Sequence, residues 1–163
     1  MMKKMIFAAL GLLCLASCAK QPCCQLEHPC YSYDATIYEL NTRQLTPEGT
    51  FKAAEAVLPE LKELGVDIIW IMPIQKIGEL ERKGTLGSYY AITDYCQFNP
   101  EFGTRADFEH FLAEAHKLGL KVILDWVANH TAPDSEWTKN DGWHYRDSLG
   151  NLMVQYDWTD ISK

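Results

Sequence analysis

Leu120-Lys121-Val122-Ile123-Leu124-Asp125-Trp126-Val127-Ala128-Asn129-His130 passes from an apolar run to a cluster of polar groups within one step. The first five residues read as a short buried strand led in by Leu118-Gly119, and Asp125, Asn129 and His130 arrive where that strand should end. In α/β folds, polar residues at the C-terminal end of a buried parallel strand serve a site. Side chains on a strand alternate between two faces, so a carboxylate, an amide and an imidazole at these spacings cannot share one pleated face. Part of the segment must curl over the strand's end. Taken alone, the hexapeptide is equally well explained as a strand terminus with turn-forming polar residues.

Upstream, Thr104 is an N-cap with Asp107 three residues later, and Phe108, Phe111, Leu112, Ala115 and Leu118 form the apolar stripe of a helix that Gly119 ends. The same order occurs earlier. Thr36-Ile37-Tyr38-Glu39-Leu40-Asn41 has strand character, Phe51, Ala54, Val57, Leu58, Leu61 and Leu64 share a helical face, and Gly65 is placed to end that helix in the left-handed conformation. Pro59 interrupts the pattern, which predicts a kink or two short helices. Val66 through Ile74 reads as the next buried strand, closed by Pro73. Helix-Leu-Gly-strand thus appears at Leu64-Gly65-Val66 and again at Leu118-Gly119-Leu120. Continuous apolar strands alternating with amphipathic helices predict a parallel sheet buried on both faces, here of three strands and two helical connections.

Between the second strand and the second helix, Gln75 to Gly103 reads as a long loop rich in Gly and Tyr. It contains Gly87-Ser88-Tyr89-Tyr90-Ala91-Ile92-Thr93-Asp94-Tyr95. Long loops at the C-terminal ends of parallel strands carry sites. Rings beside hydroxyls and a carboxylate suit a sugar, whose apolar face stacks on aromatics; a Tyr-rich loop packed on its own domain fits the same residues.

Composition sets the outer limits. The chain of 163 residues, 47% apolar and 23% charged, is the size of one ordinary domain. Its net charge of −7 argues against nucleic acid as a partner. Lys3 and Lys4 followed by the apolar run Met5–Leu15 read as a signal segment too short for a comfortable transmembrane helix. Leu15-Ala16-Ser17-Cys18 resembles the lipobox of bacterial lipoproteins, with residues 1–17 cleaved and Cys18 receiving the lipid; an ordinary secretory signal is the alternative. Either predicts an exported protein, the first one held to a membrane through its lipid anchor. Residues 18–32, with Cys23, Cys24 and Cys30, read as a tether. The cysteines lack the Cys-x-x-Cys and His-x-x-x-His pairing of a zinc site.

Jointly, three segments resemble the α-amylase family of glycoside hydrolases, glycoside hydrolase family 13, which are (β/α)8 barrels acting on α-glucans. Tyr38-Glu39-Leu40-Asn41 through Phe51 is similar to the first strand and its loop. Gly87 through Tyr95, with Asn99-Pro100-Glu101-Phe102-Gly103-Thr104, is similar to the loop after the second strand. Asp125-Trp126-Val127-Ala128-Asn129-His130 matches the signature Asp-x-Val-x-Asn-His at the end of the third strand.

The resemblance implies an α/β fold formed by the N-terminal portion of a (β/α)8 TIM barrel, about three strands, over residues 33–163. Residues 131–163 then begin the loop domain after strand 3. It implies that Tyr90 stacks on the sugar beside the scissile bond, that His130 hydrogen-bonds that sugar's hydroxymethyl group, and that Asp125 is a buried organiser of the site. Asn129 matches a position that ligates a structural calcium through its side-chain oxygen in many members. A retaining glycosidase also needs a nucleophile and an acid/base carboxyl group. In the family these come from the fourth and fifth strands, which these residues do not reach, so no catalytic carboxylate is assigned. The expectation is an N-terminal fragment of an enzyme that hydrolyses α-glucosidic bonds in an α-glucan or maltooligosaccharide with retention, inactive by itself. The rivals are a non-catalytic glucan-binding lipoprotein, a gene remnant, and an unrelated α/β lipoprotein.

Overall fold

Both long helical segments end in the same backbone motif, and each ending launches a strand. After Leu64, the Gly65 amide donates to Lys62 and Val66 to Leu61; after Leu118, Gly119 donates to His116 and Leu120 to Ala115. Gly65 and Gly119 take φ of +91° and +76°, the left-handed conformation that glycine enters without a Cβ penalty. The computed structural model describes residues 28–154 and 158–162. The chain divides into two units, residues 1–34 and 35–163. In the first, the described residues hold a 3₁₀ turn at Cys30–Ser32; the signal segment, Cys18, Cys23 and Cys24 lie outside the described residues. Among the described residues, Cys30 and Cys96 are free and no helix is long and apolar enough to cross a membrane.

In the second unit, β1 (Ile37–Leu40) is followed by three short helices, α1 (Thr42–Leu45), α2 (Phe51–Glu55) and α3 (Leu58–Glu63). The break between α2 and α3 falls just before Pro59, which sits in the first turn of α3 where its missing N–H costs nothing. β2 (Ile68–Ile71) comes next, then an antiparallel pair, β3 (Gln75–Ile77) and β4 (Ile92–Phe98). A 3₁₀ turn at Pro100–Phe102 leads to α4 (Arg105–Lys117) and β5 (Lys121–Leu124). At the start of α4 the Thr104 hydroxyl accepts from Asp107 N–H while the Asp107 carboxylate accepts from Thr104 N–H, a reciprocal capping box.

β1, β2 and β5 form one parallel sheet in the order β1-β2-β5, in register from Ile37, Ile68 and Lys121 to Leu40, Ile71 and Leu124. Alternating strand and helix with this unclosed parallel arc is the N-terminal part of a (β/α)8 barrel. The helices cover one face of the arc. Leu40, Ile69 and Ile71 meet Leu58, Leu61, Phe108 and Phe111 there, around Phe51, whose ring packs against four phenylalanines at centroid distances of 5.2–6.5 Å.

Four expectations need correction. The sheet is covered on one face only: Ile37, Trp70 and Ile123 stay 55%, 37% and 46% exposed on the other face, which turns to the inside of the arc. β5 is accordingly not a buried strand, because it has a hydrogen-bonded neighbour on one side only. The stretch Val66–Ile74 carries just four strand residues, since Pro73 cannot donate to a ladder and Ile74 already leads into β3. The long loop from Gln75 to Gly103 encloses the β3–β4 pair, hidden from periodicity by the register shifts at Gln75–Ile77.

Candidate functional site

The in-register strand ends place Asn41, Met72 and Asp125 at one level: Met72 N–H donates to Leu40 and Asp125 N–H to Ile71. Beyond that level the strands stop, and Asp125–His130 curls over the end of β5 as the polar spacing requires. Tyr95, from β4, staples the curl: its hydroxyl sits 2.6 Å from the Val127 carbonyl and 2.9 Å from that of His130. Burial pushes the Tyr95 phenol up to about 12, so it remains a donor.

Four residues singled out from the sequence form one hydrogen-bonded chain. The Tyr90 hydroxyl donates to Asp125 Oδ2 at 3.0 Å, and the Tyr90 carbonyl lies 3.1 Å from His130 Nε2. His130 Nδ1 is 3.3 Å from Asn129 Nδ2. In this arrangement the Tyr90 carbonyl accepts from His130 Nε2–H and the Asn129 amide donates to Nδ1. The Tyr90 phenol is raised to about 12, first by burial, then by its bond to Asp125 and the negative charges of Asp125 and Glu39. Asp125 is half-buried rather than buried, because it ends the edge strand.

This chain borders a cavity of about 570 Å³ lined by Lys83, Ser88, Tyr90, His130, Trp158 and Asp160 among others, within the size range of small-molecule sites. Arg43, which sequence reasoning missed, holds the Tyr90 loop in place. Its guanidinium donates to the carbonyls of Gly87 at 3.1 Å and Leu86 at 3.3 Å, pairs with Glu101 at 2.6 Å, and lies 4.3 Å from the Tyr89 ring centroid. Nothing in the local pattern of Arg43 marks it, since its partners are more than forty positions away.

On its other side His130 faces a smaller cavity of about 260 Å³ with Asn129, Tyr95, Trp126, Trp137 and Trp143. Tyr95 and Trp137 stack there with centroids 4.5 Å apart and planes 2° from parallel. With Asn129 Nδ2 engaged by His130, its Oδ1 is the atom left for a hard cation. A calcium ion takes six to eight oxygens, so Asn129 Oδ1 would be one ligand among several. Among the described residues no three His, Cys, Asp or Glu side chains converge on a metal position.

Comparison with known proteins places these features. The profile of the alpha-amylase catalytic domain matches residues 34–155. The alpha-glucosidase of Pediococcus pentosaceus is 43% identical over 105 residues, 61% of this chain and 18% of that protein. The oligo-1,6-glucosidase of Parageobacillus thermoglucosidasius is 35% identical over 109 residues, 64% of this chain and again 18% of the relative. An alpha-amylase from Lactobacillus plantarum superposes with a TM-score of 0.76 at 48% identity, covering 78% of this chain and 31% of that one. A noncanonic maltogenic alpha-amylase from Thermotoga neapolitana gives 0.73 at 38%, with the same coverage. The chain spans under a third of the length of these relatives. With a matching profile over most of its length, an arc of the barrel fold and the Asp-x-Val-x-Asn-His signature at the end of β5, the chain belongs to the alpha-amylase family.

Proposed function

We propose that the cavity beside Tyr90 and His130 takes one sugar ring of an α-glucan or maltooligosaccharide, and that the chain serves a retaining glycosidase of the α-amylase type. The observation that carries this reading is the chain Asp125–Tyr90–His130–Asn129, which fixes an aromatic face and an imidazole at the rim of a sugar-sized cavity. Asp125 holds the Tyr90 phenol, the ring offers an apolar face to the sugar, and His130 exchanges its Tyr90 carbonyl partner for a hydroxymethyl group.

Retaining hydrolysis further requires a nucleophile and an acid/base carboxyl group about 5 Å apart. Among the described residues that line the cavity, Asp160 is the one carboxylate, so such a facing pair is not met there. The 163 residues alone therefore bind sugar without turning it over. The test is maltotriose binding and release of reducing sugar by the purified chain: binding without release is expected, and steady hydrolysis refutes the division of labour.

A non-catalytic glucan-binding lipoprotein is a second reading, favoured by the presence of all four site residues within this chain. Retention of the folded chain on a starch column, lost in Tyr90→Ala, is its signature. In either case the proposal includes export and a lipid on Cys18, tested by mass spectrometry of the protein made with its own leader and of Cys18→Ala. A structural calcium is proposed only through Asn129 Oδ1 as one ligand, with the other oxygens supplied from beyond its aromatic surroundings. A rise in Tm on adding calcium, absent in Asn129→Ala, tests it.

A further inference from the structure

The cavity beside Tyr90 has a second wall, built by a segment that leaves the end of β5 and returns to it. Thr131 and Ser162 exchange both backbone hydrogen bonds, at 3.0 and 2.7 Å, so the excursion between them is closed at its base. Next to that closure Ile161 is buried against Ala91 and Ala132, and Ala91 follows Tyr90 directly. Trp158, half exposed, lines the same cavity as Tyr90.

A polar contact joins the two walls. The Asp160 side chain is only 8% exposed, and the ammonium of Lys83 lies 3.5 Å from its carboxylate. Lys83 belongs to the loop that runs into Gly87–Tyr90, and both members of the pair line the cavity. A carboxylate withdrawn from water is costly without a cation, so the pair favours the arrangement in which the two segments meet. Lys83 keeps about half its side chain in water, which leaves the contact open to screening by salt.

We propose that Lys83 and Asp160 form a latch that fixes the Trp158–Ile161 wall and presents Trp158 as a second stacking surface for the sugar bound beside Tyr90. This rests on the glucan-binding reading above. Trp158 touches the sugar, whereas Lys83 and Asp160 are positioning residues. A sugar offers an apolar face to each ring and directs its hydroxyls between them, so a second aromatic wall adds to the apolar contact made by Tyr90.

Calorimetric titration of the full 163-residue chain with maltotriose tests the latch, with near-ultraviolet circular dichroism to establish that each variant is folded. Trp158→Ala is expected to weaken binding about tenfold. Lys83→Met should weaken it about threefold, and Lys83→Arg should restore it. Raising salt from about 0.05 to about 0.5 M should weaken binding by the wild type and leave Lys83→Met unchanged. Wild-type binding that survives Trp158→Ala and Lys83→Met intact overturns the latch and leaves the sugar-binding reading standing. Failure of the wild type to bind overturns both.

Discussion

The phenol of Tyr90 donates to the carboxylate of Asp125 at 3.0 Å across 35 positions of sequence, and so ties the Gly- and Tyr-rich loop to the end of β5. A hydrogen bond to a charged acceptor is stronger than a neutral one, but both groups here retain access to water. Tyr90→Phe is therefore expected to lower stability by about 1 kcal/mol in urea unfolding. Asp125→Ala removes the same contact, so the double variant should fall short of the sum of the singles by about 0.5 kcal/mol or more. Strict additivity would mean that the contact does not form in solution.

Burial of two phenols predicts an alkaline signature. Tyr90 and Tyr95 both ionise only near pH 12 in the folded protein, against 10.0 for an ordinary phenol. A folded-state value above the unfolded one stabilises the fold below pH 10, and that contribution is lost as pH rises towards 12. Absorbance titration at the phenolate band should show two of the tyrosines titrating late, and unfolding should release them. Asp125→Asn should bring Tyr90 part of the way down, since burial, its largest cause, persists. A single uniform titration near pH 10 would contradict this.

Gly78 and Asp134 form a crowded junction between β3 and the start of the excursion after His130. A Cβ on Gly78 would lie 2.5 Å from both the Ala132 Cβ and Asp134 Oδ1. Gly78→Ala is expected to cost about 1–3 kcal/mol through overpacking, measured by urea unfolding.

Burial alone would raise the Asp134 carboxyl. The amides of Glu79 and Leu80 and the Thr93 side chain outweigh that and hold it below its ordinary 3.8. A depressed carboxyl stabilises the fold above the unfolded value and loses that contribution as pH falls through the folded one. Asp134→Asn should lower Tm by about 3 °C at neutral pH, with the gap to wild type closing as pH drops below about 4. A gap independent of pH would show that the carboxylate is not selectively held.

Gly65 and Gly119 end their helices in the left-handed region, and a Cβ on either would meet nothing within 4 Å. The penalty for Gly119→Ala is thus conformational, about 1 kcal/mol, with no steric component. Gly65→Ala should cost the same within error in the same unfolding experiment. A clear inequality between the two would mean that the two endings are not equivalent.

The repeated Leu-Gly ending was readable in the sequence because the helix terminus is a local event, decided by one residue's φ and two neighbouring amides. The capping box at Thr104 and Asp107 was readable for the same reason. The Asp125–His130 curl followed from strand parity, and its meeting with Tyr90 from the likeness to a family. What escaped was set by distant partners. β3 and β4 pair irregularly, so neither shows a clean alternation. Arg43 acts through Glu101 and Gly87, and the Trp158–Asp160 wall depends on closure at Thr131 and Ser162. β5 read as buried because its composition suits a barrel interior, whereas its exposure depends on what lies alongside it.

The most direct measurement is calorimetric titration of the folded 163-residue chain with maltotriose, alongside Tyr90→Ala and His130→Ala. The account predicts saturable binding by the wild type that each substitution weakens about tenfold or more. Binding that is absent in the wild type, or indifferent to both substitutions, would contradict it.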